Sequence, residues 1–425
     1  MNMKKIMISL ALIILSSGSW AQTLEECQQA AEKNYPLIKQ YGLITKTTQL
    51  TVKNIQKGWL PQVTASAQAT YQSAVTAWPE SMQSIYQQMG LNMKGLSKDQ
   101  YKIGIDLQQT IYDGGAISSQ RNIAQQEGKV QEAQTETNLY QVRRRVNEMY
   151  FSLLLLNEQI QLNEDVKTLL LSSEKKLSAM VKGGTAATSD LDNVRAERLS
   201  VEQQNENLKQ QKQMLQRMLS VFCGLEVNNT QKPAPVQIVS SVNNRPEMRL
   251  YNSQLELTEA KEKALDIQLR PKLGLFAQGF YGYPGLNMFE DMMNRKWSLN
   301  GIVGIKLSWN VSAFYTHKND KARLSAQREI IENAREVFLF NNKLEEIQQN
   351  ENINRYQTMM KSDDEIIVLR TNVRKAAESK LTHGIIDVIS LLREINNENA
   401  AKTQQSIHEI DMLKEMYNLK YTNNE

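Results

Sequence analysis

Side chains that could do chemistry are few and widely spaced in this chain. Ser173 and Lys176 fit a Ser-x-x-Lys spacing, but they lie in the charged run SEKK of a predicted helix, where such a match arises by chance. The three histidines, His317, His383 and His408, are far apart in sequence. Phosphate-binding loops, His-Glu-x-x-His motifs and paired-cysteine motifs are missing from the sequence. We therefore predict no catalysis, no cofactor and no metal site.

The first 21 residues have the composition of a secretory signal peptide. Lys4 and Lys5 precede an apolar stretch too short to span a bilayer, and Ser19 and Ala21 occupy the positions that signal peptidase prefers. We expect cleavage after Ala21 and export into a bacterial envelope. Removing the two lysines lowers the formal charge from +4 to +2, and this near-balance argues against nucleic acid as a partner.

The remaining chain contains an internal repeat. Pro36 and Pro246 lie 210 residues apart, whereas GIDL at 104–107 and GIKL at 304–307 are offset by 200. Each half is predicted to run helix, strand, loop, strand, long helix, turn, long helix. Because the offset falls by ten between the paired strands, the first loop should be ten residues longer than the second.

Four segments are predicted to form strands with one polar and one apolar face. VTASAQATY at 63–71 alternates strictly, KIGIDLQQTI and GIVGIKLSWNV follow the same pattern, and KLGLFAQGFYGY alternates less cleanly. Tyr71 and Trp309 lie on the apolar faces, as in an interfacial aromatic belt. The polar faces suit a wet interior and carry Thr64, Ser66, Gln68, Asp106, Gln108, Lys306, Ser308 and Asn310.

Four strands cannot close a barrel alone, because about eight is the practical minimum. An unclosed sheet cannot sit in lipid, since its edge groups would have no hydrogen-bond partners. Closure therefore requires several chains. Two chains would give eight strands with a filled interior, and three would give twelve strands around a water-filled bore.

Long helices are predicted to follow each strand pair. Apolar residues at 3–4 spacing predict helices over about 117–182 and 316–383, each roughly 100 Å long at 1.5 Å per residue. Gly184 and Gly384 follow these helices and are expected to reverse the chain.

The proline-containing stretch at 222–243 is predicted to be a linker. The predicted domains are therefore a signal peptide at 1–21, a first repeat at 22–235 and a second repeat at 236–425. The fold class is mainly α, with strands that contribute to a membrane β-barrel.

The sequence resembles the TolC family of outer membrane efflux channels in several segments that follow one another along the chain. LEECQQAAEKNYPLIK resembles the family's first helix, GWLPQVTASAQ its first strand, and TIYDGGAISSQRNIAQ its strand-to-helix junction. EMYFSLLLLNEQI resembles its long helix. VKGGTAATSDLDNVRAERL and LTHGIIDVISLLREI resemble its two helix-turn motifs.

The resemblance implies a homotrimer with a twelve-stranded barrel in outer membrane lipid and a helical coiled-coil tunnel through the periplasm. It also implies a periplasmic adaptor and an inner-membrane pump of the RND or ABC type as partners. The cargo would be small molecules, or proteins as in type I secretion.

The resemblance also suggests residues at the periplasmic end. Asp190 matches an aspartate that helps latch the closed tunnel, although it could equally be a carboxylate that favours a helix N-terminus. In the second turn the family's tyrosine, arginine and two aspartates are replaced by Leu381, Ile386, Ser390 and Arg393. We expect Arg393 to pair with Asp190 of a neighbouring copy. The alternatives are three unpaired arginines at the narrow end of the bore, or an Arg393 side chain that points outward toward the adaptor. Gly184 and Gly384 would mark the turns that an adaptor contacts.

Cys27 and Cys223 are the two cysteines. By resemblance both lie near the band around the middle of the tunnel, either as a disulfide or as two buried free thiols.

The alternative function is that of a periplasmic adaptor, an interaction protein with long helical hairpins. An adaptor would have one hairpin, lipoyl-like β segments and a membrane anchor. This sequence predicts two hairpins and paired amphipathic strands, which favours the channel.

Overall fold

The computed structural model describes residues 22–91, 95–236 and 244–424. The predicted signal peptide at 1–21 and residues 237–243 of the predicted linker lie outside the described residues. The first half contains α1 (Leu24–Asn34), α2 (Ile38–Gln56), β1 (Gln62–Tyr71), α3 (Glu80–Gln88), β2 (Asp99–Tyr112), α4 (Ala116–Lys182) and α5 (Thr188–Cys223).

The second half follows nearly the same order of elements. It contains α6 (Pro246–Gln268), β3 (Lys272–Tyr283), α7 (Met288–Asn294), β4 (Ser298–Ser308), α8 (Ala313–Thr382) and α9 (Val388–Asn423). Each half thus places a strand pair before two long helices, as the repeat in the sequence predicts.

The four strands form one antiparallel sheet in the order β1-β2-β3-β4. Thr64 lies opposite Asp106 on β2, Asp106 lies opposite Gln278 on β3, and Gly274 on β3 lies opposite Lys306. Because directly opposed residues share a face, this register aligns the polar positions of neighbouring strands.

The fourth strand is shorter than predicted. We expected alternation to continue through Trp309 and Val311, but β4 ends at Ser308. The indole of Trp309 instead donates a hydrogen bond to the carbonyl of Leu269, at 2.8 Å, and α8 begins at Ala313. The predicted polar-face residue Asn310 is therefore outside the sheet.

Both strand-connecting loops contain a helix that the sequence patterns did not predict. In the first loop α3 follows Pro79, and in the second α7 follows Asn287, whose side chain accepts a hydrogen bond from the Glu290 amide. Leu96, Tyr283 and Met292 form a small buried cluster between the two loops, so the loops pack against each other.

The described residues form two compact units. One comprises the described part of residues 1–42 together with 133–250 and 333–424, and the other comprises residues 43–132 and 251–332. The first unit contains the ends of the long helices that carry the turns, and the second contains the sheet.

The helical unit has two buried apolar clusters. In one, α1, α4, α5 and α9 contribute Leu24, Cys27, Tyr150, Phe151, Leu219, Cys223, Leu413 and Tyr417. In the other, residues from α4, α5, α8 and α9 pack together, among them Leu170, Leu177, Val194, Ala377, Leu391 and Ile395. These residues are at the apolar positions of amphipathic helices, so burial of one face stabilises each helix.

Helix α1 begins at a reciprocal cap. The Thr23 hydroxyl accepts a hydrogen bond from the Glu26 amide at 3.2 Å, and the Glu26 carboxylate accepts one from the Thr23 amide at 2.9 Å. None of the described helices is apolar over enough of its length to cross a bilayer.

Candidate functional site

The sheet has a polar face that follows all four strands. Cross-strand register places side chains from β1, β2 and β4 on this face, as the alternation predicts, namely Thr64, Ser66, Gln68, Asp106, Gln108, Lys306 and Ser308. Part of this face lines a cavity of about 620 Å³, to which Asp106, Gln278, Lys272 and Lys306 contribute. Carboxylate, amide and ammonium groups thus meet in one water-accessible groove.

Two contacts organise this face across strands β2 and β3. The Gln278 amide donates a hydrogen bond to the Asp106 carboxylate, which fixes both side chains over the sheet. The Lys102 ammonium lies 4.1 Å from the ring centroid of Phe280, within the range of a cation–π interaction.

The two phenylalanines of this face were missed by the sequence analysis. Phe276 lies opposite Gln108, and Phe280 lies opposite Gly104, so both project on the polar side. A strict period of two through KLGLFAQGFYGY would have placed them on the same face as Gln278. Because both side chains are apolar, the sequence did not indicate that they belong to the polar face.

The opposite face of the sheet is apolar and exposed within a single chain. The side chains of Leu299, Val303, Ile305 and Leu307 on β4 are 82%, 80%, 71% and 70% exposed. Large apolar side chains also line β1 and β2, including Val63, Ile103 and Ile105. Such a surface requires a cover of lipid or protein.

The edges of the sheet are also open. Within the described residues, β1 pairs with β2 alone and β4 with β3 alone, so each outer strand has one row of unpaired backbone groups. A second strand can add to each edge.

The two helical turns are built alike. Gly184 has φ 76° and Gly384 has φ 70°, a conformation that glycine adopts without steric strain. The Thr185 amide donates to the Met180 carbonyl at 2.9 Å, and the Ile385 amide donates to the Lys380 carbonyl at 2.9 Å. These bonds close the ends of α4 and α8 in the same way.

Asp190 lies at the start of α5, after the first turn. Its carboxylate accepts a hydrogen bond from the Ala187 amide at 3.3 Å. This contact matches the helix N-terminal role that the sequence offered as one of two interpretations of Asp190. A latching role would require a partner beyond the single chain.

In the second turn, Asp387 caps α9. The Ser390 amide donates to the Asp387 carboxylate at 2.8 Å. Hydrogen bonds from the Ser390 side chain and amide lower the pKa of Asp387 below its ordinary value. Ser390 is therefore a capping partner of Asp387, which the sequence did not predict.

Arg393 has a side chain that is 70% exposed on α9. Its guanidinium lies 3.5 Å from the Glu394 carboxylate, and Glu394 is also 3.9 Å from Arg370. Within the part of the chain that is described, Arg393 and Asp190 form no ion pair. Because its side chain is largely exposed, Arg393 can also meet a group of another molecule.

Each helical hairpin also contains a chain of three charged residues near its turn. In the first hairpin, Arg198 on α5 contacts Glu174 on α4 at 2.9 Å and Glu202 one turn along at 2.8 Å. We call Glu174, Arg198 and Glu202 the first charge chain. Its ion pair between helices fixes the register of α4 against α5.

The second hairpin has the same arrangement with every charge reversed. Glu398 on α9 contacts Arg374 on α8, and it contacts Lys402 one turn along at 2.8 Å. Positions 374, 398 and 402 lie 200 residues after positions 174, 198 and 202. We call Arg374, Glu398 and Lys402 the second charge chain. The correspondence can be found in the sequence at the repeat offset of 200, but only when residues of opposite charge are counted as matching.

The histidines occupy separate places. His317 lies 3.2 Å from Asp266, and His408 lies 2.8 Å from Asp363, while the His383 ring contacts the Ser379 carbonyl. Among the described residues, no three histidine, cysteine or acidic side chains come together in a geometry that could hold a metal ion.

The first half of the chain matches a known protein family. Residues 28–224 match the family model described as outer membrane efflux protein. This stretch of the chain is therefore similar to outer membrane efflux proteins.

Solved structures of outer membrane channels share the fold over most of the chain. The match to CusC has a TM-score of 0.69 at 12% identity and covers 94% of this chain and 91% of that chain. The CmeC outer membrane channel of Campylobacter jejuni matches with a TM-score of 0.68 at 14% identity, covering 94% and 85%. VceC of Vibrio cholerae matches with a TM-score of 0.66 at 12% identity, covering 94% of each.

At these identities the structural likeness establishes the fold. No curated protein sequence matches the chain.

Proposed function

We propose that the protein is a trimeric outer membrane channel that exports small molecules or proteins. The observation that carries this proposal is the open sheet, polar on one face, apolar on the other and, within the described residues, unpaired at both edges. Three copies would supply twelve strands, with the polar faces around a water-filled bore and the apolar faces toward lipid.

In this proposal the channel is a passive conduit, and another protein supplies the energy for export. We infer that a periplasmic adaptor and an inner-membrane pump of the RND or ABC type work with the channel, and that the turns at Gly184 and Gly384 meet the adaptor. Export of the chain by a signal peptide at 1–21, and repeats at 22–235 and 236–425, are part of this proposal.

At the periplasmic end, we propose that Arg393 pairs with Asp190 of a neighbouring copy. The support is that the Arg393 side chain is exposed and follows the second turn, while Asp190 follows the first. An arginine fork binds a carboxylate well in a confined site, so this pair would narrow the end of the tunnel.

Light scattering of the detergent-purified protein, combined with cell fractionation, tests the proposal. We expect a particle of three chains in the outer membrane fraction and ion conductance in planar bilayers. A stable monomer in detergent would contradict the assembly. A pool confined to the inner membrane would instead favour the adaptor function.

A further inference from the structure

Cys27 and Cys223 meet in the core of the helical unit. Cys27 lies in α1 and is 0% exposed, and Cys223 is the last residue of α5 and is 3% exposed. The Cys223 sulfur lies 3.4 Å from the Cys27 carbonyl, and the two thiol groups are within hydrogen-bonding distance of each other. Both are free thiols in the structure.

The surrounding contacts hold α1 firmly against the end of α5. The Asn34 side chain donates hydrogen bonds to the carbonyls of Val221 and Phe222, at 3.0 and 3.2 Å. The rings of Tyr35 and Phe222 lie 5.6 Å apart. These contacts follow Cys27 in α1 and precede Cys223 in α5, so little relative movement of the two sulfurs remains.

A second set of contacts fixes the chain just before α1. The Tyr150 hydroxyl donates to the carbonyls of Gln22 and Gln231, at 2.7 and 2.6 Å, and Gln22 forms a parallel bridge with Thr230. The segment 22–35, which we call the N-terminal strap, is thus held at both ends.

We propose that Cys27 and Cys223 form a disulfide bond in the exported protein, which joins the N-terminal strap covalently to α5. The inference rests on the proposed outer membrane location, since a chain exported to the envelope meets an oxidising compartment. The chain has two cysteines, and the packing of α1 against α5 places them beside each other, so each is the other's partner within the chain.

The oxidant would be a protein or small molecule that carries a reducible disulfide. The Cys223 thiolate attacks one sulfur of that disulfide, and the other sulfur leaves as a thiolate that takes up a proton. The Cys27 thiolate then attacks the Cys223 sulfur and releases the oxidant as a dithiol. Two electrons and two protons pass from the chain to the oxidant, and one sulfur–sulfur bond forms within the chain.

Both sulfurs are buried after α1 packs against α5. The exchange therefore has to precede the final packing of the strap, and the same bond results whichever of the two thiolates attacks the oxidant first.

Counting free thiols in the exported protein tests the proposal. Whole cells are quenched with acid, and the chain is denatured and labelled with a maleimide-linked polymer, with and without prior reduction. We expect no label without reductant and two labels after reduction. Two labels without reductant, or a single label, would overturn the inference.

Three controls make the count specific. Cys27→Ala and Cys223→Ala should each give one label without reductant, which shows that a lone thiol reacts under these conditions. A chain that lacks residues 1–21 and stays in the cytoplasm should give two labels, since the reducing compartment keeps both thiols free. If it gives none, export is not the cause of oxidation.

The same samples separate this inference from the proposed function. A trimer in the outer membrane fraction that carries two free thiols would overturn the disulfide and leave the channel standing. A chain with no free thiols outside the outer membrane would contradict the channel and retain the bond.

Discussion

Arg245 is deeply enclosed in the helical unit, at 8% exposure. Its guanidinium donates to both oxygens of Glu247 and to the Asn342 side chain. The rings of Tyr421, Phe338 and Tyr140 lie 5.0, 5.2 and 5.6 Å from it. One residue thus joins the start of α6 to α4, α8 and α9.

Replacement of Arg245 by Met is expected to lower the unfolding free energy by about 3 kcal/mol, because Glu247 would remain buried without its counter-charge. The thermal midpoint of the detergent-purified protein, followed by circular dichroism, measures the loss. Arg249→Met is the matched control, since its pair with Glu136 is exposed and should contribute less than about 1 kcal/mol. Equal losses in the two variants would show that the buried Arg245–Glu247 pair stabilises the fold no more than the exposed Arg249–Glu136 pair.

Glu398 makes stability depend on pH. Burial alone would raise its pKa, but hydrogen bonds from Lys402, Arg374 and Thr371 outweigh burial and lower the pKa below its ordinary value. A carboxylate whose folded-state pKa is lowered stabilises the fold above its unfolded pKa of about 4.3. This stabilisation is lost as the pH falls below that value through the folded-state pKa.

Glu398→Gln should therefore lower the unfolding free energy by about 3 kcal/mol at pH 7 and flatten its decline between about pH 5 and pH 3. Thermal midpoints measured across this range give the result. The exposed Glu365, replaced by Gln, provides the control and should leave the curve unchanged. A Glu398→Gln curve parallel to that of the unchanged protein would rule out Glu398 as the source.

At the scale of elements, the two charge chains fix how helices pair within each hairpin. Arg374→Glu alone would put a carboxylate against Glu398, and we expect a loss of about 3 kcal/mol or more. Giving the second charge chain the residues of the first charge chain requires three substitutions, Arg374→Glu, Glu398→Arg and Lys402→Glu. Adding Glu378→Ser gives position 378 the residue found at position 178.

The four changes together should recover at least half of that loss, because the ion pair between helices is restored with its charges reversed. Thermal midpoints of the single and combined variants measure the recovery. If the combined variant is less stable than Arg374→Glu, the two hairpins are not interchangeable in this respect.

The sequence predicted the elements better than their contacts. Strict alternation at 63–71 and the glycines at 184 and 384 located β1 and the two turns, because period and backbone conformation are local properties. The helices α3 and α7 were missed, since short segments carry too few residues for a periodic signal. Trp309 left its predicted strand because a tertiary partner, the Leu269 carbonyl, competes with the alternation.

Most side-chain contacts could not be predicted from the sequence. The sets around Arg245 and Glu398 join residues from distant segments, and Lys102 meets Phe280 only when β2 pairs with β3. Family resemblance supplied the positions of Asp190 and Arg393, but it could not supply their local hydrogen bonds.

At the scale of the whole molecule, the gate proposal makes a prediction about ion flow. Arg393→Ala and Asp190→Ala should each raise the single-channel conductance, and the double variant should add little more, since both changes remove one pair. Planar-bilayer recordings measure this. Arg323→Ala, an exposed arginine on α8, is the control. Unchanged conductance and ion selectivity in both variants would mean that Arg393 does not face the bore.

The reversed charges of the two hairpins affect which helices pair correctly during synthesis, when several identical chains fold side by side. If α4 took α9 as its companion, Glu174 would face Glu398, and if α5 took α8, Arg198 would face Arg374. Either exchange brings like charges together, within one chain or between two. The opposite signs of the two charge chains thus favour pairing of each helix within its own hairpin over pairing with a helix of the other hairpin.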